Sequence, residues 1–205
     1  DLCDEYEGSR WSHACPLRRV LEDHISPRDL AQIGIRSYES EEIDLYREHP
    51  ELLVIKAYDI FKSGYQEAIN RIVSHFKGYN ALYLTLDIDV LDPAFAPGTG
   101  TPEAGGLSSR ELLEILNQLM EQLPIKAMDL VEISPSLDTT NQITSWAGAK
   151  IIYEILGQLH KKKLVHVLFF HKRRPLTRPE NFGLESEVFS FWETRGKLIN
   201  DASFL

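Results

Sequence analysis

The sequence predicts an α/β domain built on a mainly parallel sheet. Short apolar runs that suit buried strands alternate along the chain with segments whose apolar residues recur at helical spacing. Strand, helix and strand in this order and at these lengths are typical of a parallel sheet covered by helices. The most distinctive strand leads into a loop rich in acidic residues, proline and glycine. Because open α/β sheets bind their ligands at the carboxyl ends of strands, we expect the functional site there.

The elements before that strand follow from local signals. Proline at the first position opens a helix, and acidic residues are favoured in a first turn. Apolar runs that are too short for helices read as strands. The predicted elements are a helix over 16–22, a strand over 30–36, the start of a helix at 40–46, a strand over 52–57 and a helix over 64–76.

The second half of the sequence continues the alternation. Ser108, three residues before Glu111, forms a capping box at the start of a helix that packs on the sheet. A strand is predicted over 125–132 and a long helix over 143–159. Helical spacing turns these apolar residues of the long helix inward: Ala147, Ile151, Ile152, Ile155 and Leu156.

Two carboxylates, Asp87 and Asp89, mark the end of the central strand that begins at Leu82. Side chains two apart on a strand share a face, so both should project together from its tip. A shared cation is the simplest way to keep two close carboxylates ionised, and oxygen ligands suit Mg²⁺, Ca²⁺ or Mn²⁺. The alternative is a capped strand end with solvated carboxylates. The proline and glycine residues that follow favour a loop of defined shape.

The loop sequence supports a family resemblance. From Asp87 it reads Asp-Ile-Asp-Val-Leu-Asp-Pro-Ala-Phe-Ala-Pro-Gly-Thr-Gly-Thr-Pro, followed by Gly105-Gly106-Leu107. This pattern resembles, almost position for position, a signature of the ureohydrolase family of arginases and agmatinases. The resemblance covers roughly residues 1–160 and implies a three-layer αβα fold. It also implies hydrolysis of a guanidino compound, agmatine first, to urea and an amine on a two-manganese centre.

The resemblance also implies roles for particular residues. Asp87 and Asp89 would bind metal, and Asp1 resembles the last Asp of the family's DAHxD motif, a third ligand. Glu132, within VEISPSLD, would hold the substrate guanidinium through a bidentate contact, although a surface acid is the alternative. His13 would protonate the leaving amine, a task that suits a pKa near 6.5, although a structural histidine is the alternative.

The remaining expected ligands are absent: the GGxH histidine and the first Asp and His of DAHxD. We therefore expect the front part of the fold to be missing, and no useful hydrolysis of agmatine or arginine by residues 1–205 alone. Arginine, guanidinobutyrate or a formimino compound remain alternative substrates. A non-catalytic, incomplete homologue is the alternative of a different class. A histone-deacetylase-like enzyme is disfavoured because the sequence contains no Asp-x-His pair.

Composition predicts the organisation of the chain and its partners. With 205 residues, 43% hydrophobic and 26% charged, the chain fits one ureohydrolase-like domain over 1–163 and an extension of uncertain order over 164–205. A net charge of −9 argues against nucleic acid, and an acidic protein attracts cations such as the guanidino substrate that the resemblance implies. The absence of a membrane-length apolar run and of a signal peptide predicts a cytoplasmic protein that does not bind membranes. Reduced cysteines and a homo-oligomer are also expected.

Overall fold

The strands in the described part of the protein pair with one another in parallel. The structure, a computed structural model, describes residues 2–162 and the backbone of 202–204. Within these residues the helices are α1 (Pro16–Asp23), α2 (Ser40–Glu48), α3 (Ala57–Ser63), α4 (Tyr65–His75), α5 (Ser109–Gln122) and α6 (Ile143–Lys161). The strands are β1 (Ala31–Ile35), β2 (Leu53–Lys56), β3 (Ala81–Asp87), β4 (Ile125–Val131) and β5 (Ala202–Phe204). The predicted α/β class is therefore confirmed.

The described strands form two hydrogen-bonded groups. β1 pairs with β2, and β3 lies between β4 and β5. In β3 the residues alternate between buried and partly buried, and Leu82, Leu84 and Leu86 enter the main core. Burial of each such leucine stabilises the fold by about 1.5–3 kcal/mol. This burial holds the register of β3 and so determines where its acidic end lies.

Helix α5 begins as the sequence predicts. Ser108 is the N-cap, its hydroxyl accepts the Glu111 N–H at 3.2 Å, and the Glu111 carboxylate accepts the Ser108 N–H at 2.8 Å. The buried face of α5 consists of Leu112, Ile115, Leu116, Leu119 and Met120. The capping box therefore places the apolar stripe of α5 against the core.

Two features differ from the sequence-based expectations. Helix α3 was not predicted, and it begins at Ala57 because the Asp59 carboxylate accepts the Lys56 N–H at 3.1 Å and stops the strand. In α6, Ile152 and Leu156 are exposed at 46% and 43%, whereas Ile151 and Ile155 are buried. The prediction that Ile152 and Leu156 face inward is wrong, because their neighbours one position earlier occupy the inward stripe.

The end of the chain is described only in part. β5 lies within the predicted extension and pairs with the first residues of β3, Ala202 opposite Ala81. The apolar run over 165–170, whose residues are compatible with a strand, lies outside the described residues, and the domain boundary at 163 stays a prediction. Within the described part, no helix is both long and apolar enough to cross a membrane.

Candidate functional site

A cavity of about 330 Å³ lies between β1 and β3, which are not paired with each other. Its walls are largely the apolar side chains of β1, β3 and α5. Its polar lining residues cluster where the two strands end and where the loop after β3 folds over them. These residues include Arg36, Ser37, Asp87, Asp89, Thr101 and Glu103. The expected position of the site, at the carboxyl ends of parallel strands, therefore coincides with a cavity that carries acidic groups.

Asp87 and Asp89 form a close carboxylate pair, but not by strand alternation. Asp87 is the last residue of β3, while Asp89 lies in a 3₁₀ turn, Ile88–Val90. Asp87 caps this turn, since its Oδ1 accepts the Asp89 N–H at 2.9 Å. The prediction that both side chains extend from one strand face is wrong in its geometry. The turn, rather than the strand pleat, brings the two carboxylates together.

The electrostatics of the carboxylate pair are unusual. Burial raises the pKa of Asp87 to about 7, and the negative charges of Asp89 and Glu132 add to the increase. Above this pH the pair carries two charges in a partly desolvated place. Such a pair favours a bound cation, because a cation offsets the repulsion that opposes ionisation.

Glu132 lies near the carboxylate pair and has an unfavourable backbone conformation. It directly follows β4, and its φ of +63° is unfavourable for any residue with a side chain other than Asn or Asp. Gly100 lies beside this carboxylate, since a Cβ added there would be 3.8 Å from Glu132 Oε2, an ordinary van der Waals contact. Strain of this kind persists where the surrounding structure requires a particular side-chain position.

His13 is not brought to the carboxylate pair in the described structure. The His13 side chain is exposed, packs edge-on against Tyr6 at 5.5 Å between ring centroids and lies 3.3 Å from Ser12 Oγ. It is not among the residues that line the cavity. Asp1 lies outside the described residues. The roles of both residues therefore stay predictions.

Other polar residues of this region were missed by sequence reasoning. Thr101 Oγ1 donates to Asp89 Oδ2 at 3.1 Å, and Arg36 donates to the carbonyl oxygen of Asp89. Arg36 follows the end of β1 directly, which was a usable signal because ligands gather at that end of parallel strands. Asp129 has a structural role, since its carboxylate accepts hydrogen bonds from the hydroxyls of Tyr83 and Thr85 at 2.6 and 2.7 Å.

The donor set of the site suits a hard divalent cation. Carboxylate oxygens are the ligands that Mg²⁺, Ca²⁺ and Mn²⁺ prefer. Among the side chains of residues 2–162, no group of three His, Cys, Asp or Glu is arranged to hold an ion. Asp87 and Asp89 thus fit a divalent cation as two of its ligands, and a complete site needs further ligands.

The fold and the site define an α/β protein with an acidic site at the carboxyl ends of parallel strands. The sequence model of the Arginase family matches residues 1–157. The chain belongs to the arginase family, which confirms the family resemblance of the loop.

Individual relatives agree with this assignment. The chain is 38% identical over 157 residues to an agmatinase of Bacillus anthracis, with 76% of this chain and 51% of that protein covered. It is 34% identical over 161 residues to the mitochondrial arginase 1 of Arabidopsis thaliana, with 78% and 45% covered. The structure of proclavaminate amidino hydrolase from Streptomyces clavuligerus matches with a TM-score of 0.69 and 36% identity, with 77% and 52% covered. The chain thus spans about half the length of the curated relatives that it matches.

Proposed function

We propose that this chain supplies part of a manganese-dependent active site that hydrolyses a linear amidine, agmatine, to urea and an amine. The observation that carries the proposal is the carboxylate pair at the end of β3, with Glu132 close enough to raise the pKa of Asp87. We propose agmatine rather than arginine as the substrate, because the chain is 38% identical to an agmatinase relative and 34% identical to an arginase relative. Arginine remains the second candidate substrate.

Each residue has a task in this proposal. Asp87 and Asp89 would hold Mn²⁺, and Asp1 would be a further ligand. Bound divalent ions supply Lewis-acid activation of water at such a site. Glu132 would accept the N–H groups of the guanidinium, because a carboxylate and a planar guanidinium form paired, charge-assisted hydrogen bonds. His13 would donate a proton to the leaving amine.

The charge of the site suits a cationic substrate. Asp87, Asp89 and Glu103 line the cavity, and Glu132 is close enough to Asp87 to raise its pKa. Acidic groups in a cleft concentrate cations and steer them inward. The same carboxylates therefore serve both the metal ions and the guanidinium.

Asp89→Asn is expected to weaken Mn²⁺ binding on the order of 100-fold. Loss of a residue that merely orients a metal ligand already weakens binding about 10- to 100-fold, and loss of the ligand itself should cost at least as much. An amide loses the charge that attracts the ion while it keeps the shape of the side chain. Isothermal titration calorimetry with Mn²⁺ measures the change. Asp44→Asn is the matched control, because Asp44 is exposed on α2 and pairs only with Arg47 among the described residues. Equal Mn²⁺ affinity in the wild type and Asp89→Asn would contradict the assignment.

Glu132→Gln is expected to weaken agmatine binding in the presence of Mn²⁺ by about 10- to 100-fold, as the loss of a charged hydrogen-bond partner costs about 1.5–3 kcal/mol. Competition with arginine in the same titration ranks the two candidate substrates. Glu114→Gln is the control, since Glu114 lies on α5 and contacts Arg110 at 3.6 Å. Mn²⁺ binding without any dependence of agmatine affinity on Glu132 would refute the role of this carboxylate.

A further inference from the structure

Arg36 connects the two strand groups at the mouth of the cavity. Its Nη2 donates to the carbonyl oxygens of Asp89 and Glu103, the latter at 2.9 Å, and its Nε donates to Glu103 O at 3.1 Å. Leu91 O lies at 3.5 Å from the same Nη2. One guanidinium on the β1 side therefore binds both ends of the loop 89–103.

The base of this loop is already closed by its own hydrogen bonds. Leu107 N–H donates to Val90 O at 2.9 Å, and Asp92 N–H donates to Leu107 O at 2.9 Å. The Asp92 carboxylate also accepts the Gly105 N–H at 2.8 Å. These bonds set the shape of the loop but do not set its place relative to β1. The Arg36 contacts supply that second restraint, together with the hydrogen bond that the Ser37 hydroxyl donates to the Glu103 carboxylate.

Close packing supports the same restraint. Gly34 in β1 has a φ of +80°, and a Cβ added there would lie 2.5 Å from Val90 Cγ2. The backbone of β1 thus lies directly against the turn that carries Asp89. The carbonyl of Asp89 is consequently within reach of Arg36.

The choice of acceptors by Arg36 matters for the site. Among the described residues, the hydrogen bonds of Arg36 go to carbonyl oxygens and none to a carboxylate. Its positive charge therefore lies beside the carboxylate pair, while Arg36 itself occupies none of the carboxylate oxygens. Lysine would keep the charge, but it lacks the planar fork that reaches several acceptors at fixed angles.

We propose that Arg36 is the positioning residue of Asp89, holding the loop 89–103 so that the Asp89 carboxylate faces Asp87. The inference rests on the proposed function where it treats Asp89 as a metal ligand. The geometric part, the restraint of the loop by Arg36, does not depend on metal.

The test compares Arg36→Met and Arg36→Lys with the wild type in two measurements. The first is hydrogen exchange in the metal-free protein, at the amides of Asp89, Asp92, Gly105 and Leu107. We expect exchange at these amides to be at least about tenfold faster in both variants, while amides of β4 and α5 are unchanged. The second is Mn²⁺ titration, in which both variants should bind about 10- to 100-fold more weakly. Arg110→Met, at an exposed position of α5, should change neither measurement.

The outcomes separate this inference from the proposed function. Faster exchange throughout the protein with unchanged Mn²⁺ affinity would mean that Arg36 is merely structural and would overturn the inference. Loop protection that survives in both variants, together with Mn²⁺ binding by the wild type, would overturn the inference and leave the proposed function standing. Selective loss of loop protection without Mn²⁺ binding by the wild type would support the restraint and refute the proposed function.

Discussion

Asp87→Asn is expected to stabilise the metal-free protein at pH 8 while removing its stabilisation by Mn²⁺. Burial raises the pKa of Asp87 from its ordinary value of 3.8 to about 7, so the folded state resists ionisation. The unfolded chain ionises freely above about pH 4. The folded state therefore binds more protons than the unfolded state between about pH 4 and 7, and stability falls as pH rises through this window.

The expected gain at pH 8 follows from this shift. A pKa change from 3.8 to about 7 corresponds to ~4 kcal/mol, and solvent screening at this partly exposed side chain reduces the expected gain to about 1–3 kcal/mol. Urea unfolding in the presence of a chelator at pH 5 and pH 8 measures the free energy of unfolding of both proteins. The difference in favour of Asp87→Asn should be larger at pH 8 than at pH 5. Mn²⁺ should raise the stability of the wild type only. A variant less stable than the wild type at pH 8 would show that the ionised Asp87 carboxylate does not destabilise the folded state.

Gly98→Ala is expected to destabilise the protein by about 3 kcal/mol, since overpacking and the loss of buried hydrogen bonds each cost roughly 1–3 kcal/mol. A Cβ at this position would lie 2.6 Å from Asp138 Cβ and 2.7 Å from Asp138 Cα. Gly98 also donates its N–H to the buried Thr144 Oγ1 at 2.7 Å and accepts the Ser134 N–H at 2.8 Å. The added methyl group would push these partners apart.

Gly157→Ala is the matched control for this substitution. Gly157 lies inside α6, and an added Cβ would meet nothing within 4 Å. Alanine there should stabilise the protein by about 0.5–1 kcal/mol, because glycine is unfavourable in a helix interior. Thermal and urea unfolding of both variants provide the comparison. A Gly98→Ala protein as stable as the wild type would show that the loop and the start of α6 separate without cost.

Local signals in the sequence were sufficient for most of the fold. The capping box at Ser108 and Glu111 marks the start of α5, and the apolar runs of β3 and β4 mark buried strands. Such signals succeed because hydrogen bonds of a first turn and burial of alternating residues act over a few positions. They fail in α6, which is apolar on several faces, so that no stripe distinguishes Ile152 from Ile151.

The sequence by itself determined the α/β class, the family, and the position of the acidic site at the end of β3. Each of these depends on residues that are adjacent or regularly spaced along the chain. Only the tertiary structure decided that a 3₁₀ turn pairs Asp87 with Asp89 and that Glu132 adopts a strained backbone. The contact of Arg36 with Asp89 spans 53 positions of the sequence. Contacts of this kind depend on how separate elements pack. Burial of the core brings together groups that are far apart in the sequence, and the residues near each group do not indicate its partner.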